Sequence, residues 1–247
     1  MTPTPLTGFM IHSRPYQEKR AIYSFFCQDK GLIDGVGTKG LPLFVEMQLL
    51  VGGKSGLKNL KEPQFVTGVP SFALLKKPSL QYAALYLNEV LYRLLAKEDP
   101  QPDLWQVYKT SLRALESADE LAMRQILRRF EYAFFLHLGV LPELLVDGLG
   151  EPLVPTAFYR YVPEEGLMAV VLSAVPRSEQ GACLLGEHLR QMASTYEAWA
   201  SDDMAVLTAE CLTAMGILHR QVMDYLLDYK PLHSRKLWQD QLRLTRV

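Results

Sequence analysis

The period of the apolar residues changes at residue 79, and this break constrains the fold more than any other feature of the chain. Before it, apolar residues come in strand-length runs rich in Phe, Ile, Val and Tyr: Thr7 to Ser13, Ala21 to Gln28 and Leu43 to Val51. Leu57 to Val66 and Thr67 to Leu74 add one or two more, and Gly31, Gly35, Gly37, Gly40, Gly52, Gly53 and Gly56 fall between or just beyond the runs. Four or five short strands in about 75 residues suit a small barrel or sandwich. After Lys76-Lys77-Pro78 the positions Leu80, Ala84, Leu87, Leu91, Leu94 and Leu95 recur at helical spacing, with Ser79 as the N-cap. The same reasoning predicts helices over 103–116, over 118–138 with Gly139 as the stop, and roughly over 181–199 and 203–228. Residues 140–178 read as irregular, with one hairpin through Phe158-Tyr159-Arg160-Tyr161 and Leu167 to Leu172. The predicted class is α+β, with a β domain over 1–78 and a mostly helical domain over 79–247 that holds the insert at about 140–178 and a basic segment at 230–247.

Charge follows the chain unevenly. The total is −1, yet residues 1–80 carry ten Lys/Arg against five Asp/Glu, residues 81–229 eleven against twenty-one, and residues 230–247 five against one. Two basic ends bracket an acidic middle, and basic patches can hold a polyanion if the fold gathers them. With 49% hydrophobic residues the chain has ample material for a core, so disorder is excluded. Cys27, Cys183 and Cys211 are odd in number and widely spaced, which is neither a disulfide framework nor a metal knuckle and favours a reducing compartment. No secretory signal or membrane span is expected, so a cytoplasmic location is.

Enzymatic constellations are weak. Gly52-Gly53-Lys54-Ser55 follows a strand as a phosphate loop would, but the position that needs the first glycine is Gln48, and no long helix follows. A hairpin turn with an exposed Lys54 is the alternative. No nucleophile-elbow spacing occurs, and His12, His137, His188, His219 and His233 are scattered. Glu164-Glu165, between Pro163 and Gly166, reads as a solvated turn. No enzyme, cofactor or metal is expected.

Basic residues interleaved with aromatics carry more information. His12-Ser13-Arg14-Pro15-Tyr16-Gln17-Glu18-Lys19-Arg20 links two strands and offers cations to phosphates and a ring to bases, though a solvated basic surface explains the pattern equally. Lys30, Lys39, Lys54, Lys58 and Lys61 add charge to the same domain. On the third helix Arg124 and Arg128 are i,i+4 neighbours, beside Leu121, Leu127 and Phe130. That face suits a peptide ending in hydrophobic residues and carboxylates; on pattern alone, arginines snorkelling at a core edge are the commoner explanation.

Several stretches together resemble the RecO family of bacterial recombination mediators. They are His12-Ser13-Arg14-Pro15-Tyr16 with Glu18, Leu41 and Phe44 leading to Gly52-Gly53, and Leu85-Tyr86-Leu87-Asn88-Glu89-Val90-Leu91. Leu127-Arg128-Arg129-Phe130-Glu131 with Leu138-Gly139, Tyr159-Arg160-Tyr161, and Lys230-Pro231-Leu232 with Ser234-Arg235 complete the set, in family order over nearly the whole chain. The resemblance implies an N-terminal OB-fold barrel followed by a helical domain. It also implies a protein that binds single- and double-stranded DNA without sequence preference and anneals complementary strands. With RecR, such a protein helps load RecA onto DNA coated by single-strand-binding protein (SSB), and its location is cytoplasmic and nucleoid-associated. The acidic, Phe-ending tail of SSB would dock at Arg124, Leu127 and Arg128. The expected DNA contacts are Arg14, Lys19, Arg20, Lys39, Lys58, Lys230, Arg235 and Lys236.

Two departures from the family pattern matter. No Cys pairs follow Gly139, so no zinc site is expected and local packing must hold residues 140–178. The basic loop that relatives carry beyond Val36 shrinks to Gly37-Thr38-Lys39-Gly40, which moves part of the expected DNA contact to the C-terminal cations. The alternative expectation is therefore an adaptor, recruited by SSB and RecR, with weak direct DNA binding.

Overall fold

The N-terminal strands close on themselves around an apolar interior. A computed structural model describes residues 3–53, 56–66, 77–201 and 207–244; Lys54, Lys76, Arg246 and the Thr67 to Leu74 run lie outside them. Strands β1 (Thr4–Gln17), β2 (Arg20–Cys27), β3 (Gly31–Thr38), β4 (Glu46–Gly52) and β5 (Lys58–Phe65) form a closed barrel in the order β1-β2-β3-β5-β4. Only β3 and β5 run parallel; the other neighbours are antiparallel. This is the five-stranded OB-type arrangement that the resemblance implies. Leu6, Met10, Tyr23, Phe25, Ile33, Met47, Leu49 and Leu60 fill the barrel.

One strand was not expected from the residues. Gly31, Gly35 and Gly37 read as turn punctuation, yet they lie within β3. The reason is space. A Cβ at residue 35 would stand 2.6 Å from Leu60 Cγ, and one at residue 31 would stand 1.9 Å from the Asp99 carbonyl oxygen. Gly31 also has φ of +64°, which an L side chain resists.

Helices α1 (Pro78–Leu94) and α2 (Pro102–Leu115) cover the apolar outer face of β1 and β2. Phe9 and Phe26 meet the Tyr108 ring at 5.3 and 5.9 Å between centroids. Asn88 Nδ2 donates to the Ile11 carbonyl at 3.0 Å, while Asn88 Oδ1 accepts from the Tyr108 hydroxyl at 2.6 Å. The α1 cap differs from the expected one. Lys77 occupies the cap position, Pro78 stands at the first turn with its φ preset, and Ser79 is already helical.

Helix α3 (Glu120–Leu138) starts where Asp119 Oδ1 accepts from the Ala122 amide at 2.8 Å. It ends in the expected glycine stop: Gly139 has φ of +68°, and Val140 N donates to the Phe135 carbonyl at 2.9 Å. Next come β6 (Phe158–Val162), β7 (Gly166–Val170), the short α4 (Arg177–Gln180), β8 (Leu184–Leu185), α5 (Gly186–Ala200) and α6 (Ala209–Leu226). The expected hairpin is β6–β7, extended by β8 into a sheet of order β7-β6-β8. Local contacts hold the rest of the insert. Asp147 Oδ1 accepts from the Leu149 and Glu151 amides at 2.9 and 3.0 Å, and the Tyr159 hydroxyl accepts from Val154 N at 2.8 Å.

A seventh helix, α7 (His233–Leu244), was not expected from the sequence, which reads there only as a basic segment. The chain divides into two compact units, Met1–Leu127 with Pro231–Val247, and Arg128–Lys230. Among the described residues no helix is long and apolar enough to cross a membrane.

Candidate functional site

The β1–β2 hairpin turns through Glu18 and Lys19, because Gln17 pairs with Arg20. Lys39 closes this end of the barrel from the end of β3: its amide donates to the Lys19 carbonyl at 3.1 Å and its Nζ to the Glu18 carbonyl at 3.0 Å. Arg20, paired in register with Thr38, donates to Asn59 Oδ1 at 3.4 Å. Lys39 thus meets the adjacent Lys19 and Arg20, about twenty residues before it, at one end of the barrel, and all three are exposed. Arg14, also exposed, stands further along β1, and Tyr16 between them leaves 51% of its surface open. Cations and an accessible ring along one edge suit a flexible strand, whose phosphates are charged and whose bases have π-faces.

Three other expected DNA contacts are placed differently. Lys58 is turned into an ion pair with Glu98 at 2.9 Å and keeps only 11% of its side chain exposed. Arg235 lies over the Tyr86 ring at 5.7 Å, a cation–π contact that fastens α7 to α1. Lys230 sits 3.3 Å from Asp228 at the surface, whereas Lys236 is exposed.

Arg124, Leu127 and Arg128 lie on successive turns of α3, each partly exposed. Arg128 belongs to a chain of buried polar groups. Its guanidinium donates to Glu131 Oε1 at 2.9 Å. Glu131 Oε2 meets His219 Nδ1 at 2.8 Å, and His219 Nε2 meets the Tyr196 hydroxyl at 2.5 Å. Glu131 is 2% exposed and His219 fully buried. The chain is consistent when His219 is neutral: Nδ1–H donates to the carboxylate and Nε2 accepts from the Tyr196 hydroxyl. Burial holds the imidazole below its ordinary value against the pull of the Glu131 carboxylate, with Arg128 adding to the lowering. The Tyr196 phenol is pushed up, first by burial and then by Glu131.

Sequence reasoning located Arg128 but missed His219 and Tyr196, which lie 88 and 65 residues from Glu131 and carry no motif. Pairing them with α3 requires α5 and α6 to fold beside it. Among the described residues no group of His, Cys, Asp and Glu side chains is gathered closely enough to hold a metal ion.

Comparison with known proteins supplies the context. A family model described as "Recombination protein O C terminal" matches residues 76–235. The chain is 33% identical over 246 residues to the DNA repair protein RecO of Pseudoalteromonas atlantica, covering 96% of this chain and 95% of that one. It is 32% identical over 239 residues to the RecO of Pseudomonas paraeruginosa, covering 94% of each. It is 30% identical over 251 residues to that of Vibrio vulnificus, covering 97% of this chain and 94% of that one.

Proposed function

The chain belongs to the RecO family of DNA repair proteins, and from that premise we propose that it is a non-enzymatic mediator of recombination that binds DNA through its basic barrel edge. In this reading Arg14, Lys19, Arg20 and Lys39, with Lys236 of α7, hold phosphates of single- or double-stranded DNA while Tyr16 stacks on exposed bases. Annealing is accelerated because the cations screen the repulsion of two backbones, and sequence is read only by the strands themselves. With RecR, the protein helps load RecA onto SSB-coated DNA.

The observation that supports DNA binding best is the division of charge between the compact units. The barrel-bearing unit has nineteen Lys/Arg against thirteen Asp/Glu, and the other seven against fourteen. The near-neutral whole is therefore a net +6 beside a net −7, and a polyanion is drawn to the first. The test is an anisotropy titration of labelled single strands with Arg14→Ala and Lys39→Ala across a salt series. Binding should weaken alike on unrelated sequences, and each lost phosphate contact should flatten the log–log salt slope by about 0.7. Wild-type affinity in both variants would overturn the assignment.

Two observations favour a second reading, the SSB- and RecR-recruited adaptor. Lys58 and Arg235 are engaged within the protein, so fewer cations remain for DNA. Recruitment then rests on the SSB tail at Arg124, Leu127 and Arg128. Weak binding of bare DNA, beside firm binding of an acidic peptide ending in Phe, would select this reading.

A further inference from the structure

Arg128, with 16% of its side chain exposed, is fixed by its surroundings on two sides. Glu131 takes one N–H of a guanidinium that carries five. Glu131 is itself held at its second oxygen by His219, and His219 at its far nitrogen by Tyr196. The Tyr196 carbonyl in turn accepts from the Tyr132 hydroxyl at 3.2 Å. On its other side the guanidinium lies across Gly216 of α6, where a Cβ would stand 3.1 Å from Arg128 Nη1. A glycine in the interior of a helix is unfavourable relative to alanine, so its presence under the guanidinium calls for a reason.

We propose that Gly216, Glu131, His219 and Tyr196 are positioning residues that hold the Arg128 guanidinium in a fixed orientation to receive a carboxylate of an acidic peptide. The inference rests on the reading of Arg128 as the peptide anchor. The unit Arg128–Lys230 has a net charge of −7, so its long-range field opposes an anionic ligand. Affinity must then come from contacts at hydrogen-bond range, where a planar fork rewards correct orientation and a misdirected one loses its paired bonds. A guanidinium already fixed by a buried carboxylate surrenders less side-chain entropy on binding than a mobile one. Glu131 also lowers the local positive charge. That cost is accepted because a largely buried arginine needs a counter-charge, and His219 satisfies the remaining carboxylate oxygen without adding a second cation.

Gly216→Ala separates positioning from folding. The added methyl improves helix propensity while pushing the guanidinium by a few tenths of an ångström. The full-length protein is titrated by calorimetry with a synthetic acidic peptide ending in Phe with a free carboxylate, and each variant is melted in parallel. Arg128→Ala should weaken binding tenfold or more. Gly216→Ala should weaken it three- to tenfold with a melting temperature equal to or above wild type, and His219→Gln should weaken it to a similar degree. Wild-type binding in Arg128→Ala would remove the peptide-anchor reading itself. Loss in Arg128→Ala with wild-type affinity in Gly216→Ala and His219→Gln would leave the anchor standing and overturn the positioning role. Losses that simply track falling melting temperatures across the variants would overturn it as well.

Discussion

At the scale of single residues the sharpest feature is a histidine that cannot charge without cost. An unfolded His219 would titrate at its ordinary value near 6.5, while the folded one, fully buried, titrates lower. Between those two values the unfolded chain binds more protons, so stability is complete above pH 6.5 and falls as the pH drops below it. The loss continues until the folded imidazole itself protonates, at about 1.4 kcal/mol per unit of difference between the two values. His12, half-buried against Tyr92 at 4.0 Å between ring centroids, is lowered as well, by burial and then by Arg14 and Lys97. The pH dependence is therefore shared. Urea unfolding at pH 7.5 and 5.5 should show wild type losing stability on acidification and His219→Gln losing less. The variant should start lower at pH 7.5, by about 1–3 kcal/mol, because a buried hydrogen-bonded group is replaced imperfectly. An identical acid loss in the two proteins would show that His219 keeps its ordinary titration when folded.

At the scale of elements, α7 depends on a residue 144 positions before it. Glu89 of α1 accepts the His233 and Ser234 amides at 2.8 Å each and the Ser234 hydroxyl at 2.7 Å. This carboxylate satisfies orphan donors at a helix N-terminus and complements its dipole. Arg93 reinforces the junction by donating to the Pro231 carbonyl at 3.0 Å, and Trp238 packs edge-on to Tyr82. Glu89→Ala should leave those donors unsatisfied at a cost of about 1–3 kcal/mol. Amide exchange across His233–Leu244 should then quicken roughly tenfold or more while the barrel strands keep their protection; unchanged exchange in α7 would refute the cap. The same element shows where sequence reading stops. α1 and α2 are legible because their apolar faces repeat along the chain, and the stop of α3 because Gly139 carries its own signal. α7 is polar, and its cap lies on another helix, so no local window contains the information. β3 was hidden for the opposite reason: its glycines look like turns until the closed barrel shows that Leu60 and Asp99 leave no room for side chains. The candidate sites divide the same way. Arg14, Lys19, Arg20 and Arg128 with its partner Glu131 stand in short motifs, while Glu98 and Tyr86, which engage Lys58 and Arg235, and His219 and Tyr196, which stand behind Glu131, come from remote segments.

At the scale of the molecule, the charge pattern along the chain becomes a pattern between units. The basic C-terminal segment from Pro231 onward belongs to the barrel-bearing unit, and the acidic stretch Arg128–Lys230 forms the other. The two ligand classes should therefore answer to salt in different ways. DNA binding to Arg14, Lys19, Arg20, Lys39 and Lys236 releases counterions from at most five phosphates, which for a single strand gives a log–log slope no steeper than about −3.5. An acidic peptide anchored by Arg128, which lies in the unit of net −7, gains little from that unit's long-range field, which screening weakens further, and relies on bonds at contact distance. Raising the salt should thus weaken DNA binding strongly and peptide binding far less. Parallel titrations of one labelled oligonucleotide and one acidic Phe-ending peptide, on the same full-length protein between 50 and 200 mM salt (roughly the range over which such losses become large), make the comparison. A DNA slope well beyond −3.5 would mean that cations outside the assigned set take part. Equal salt sensitivity for the two ligands would mean that the unit charges do not govern which surface each one meets.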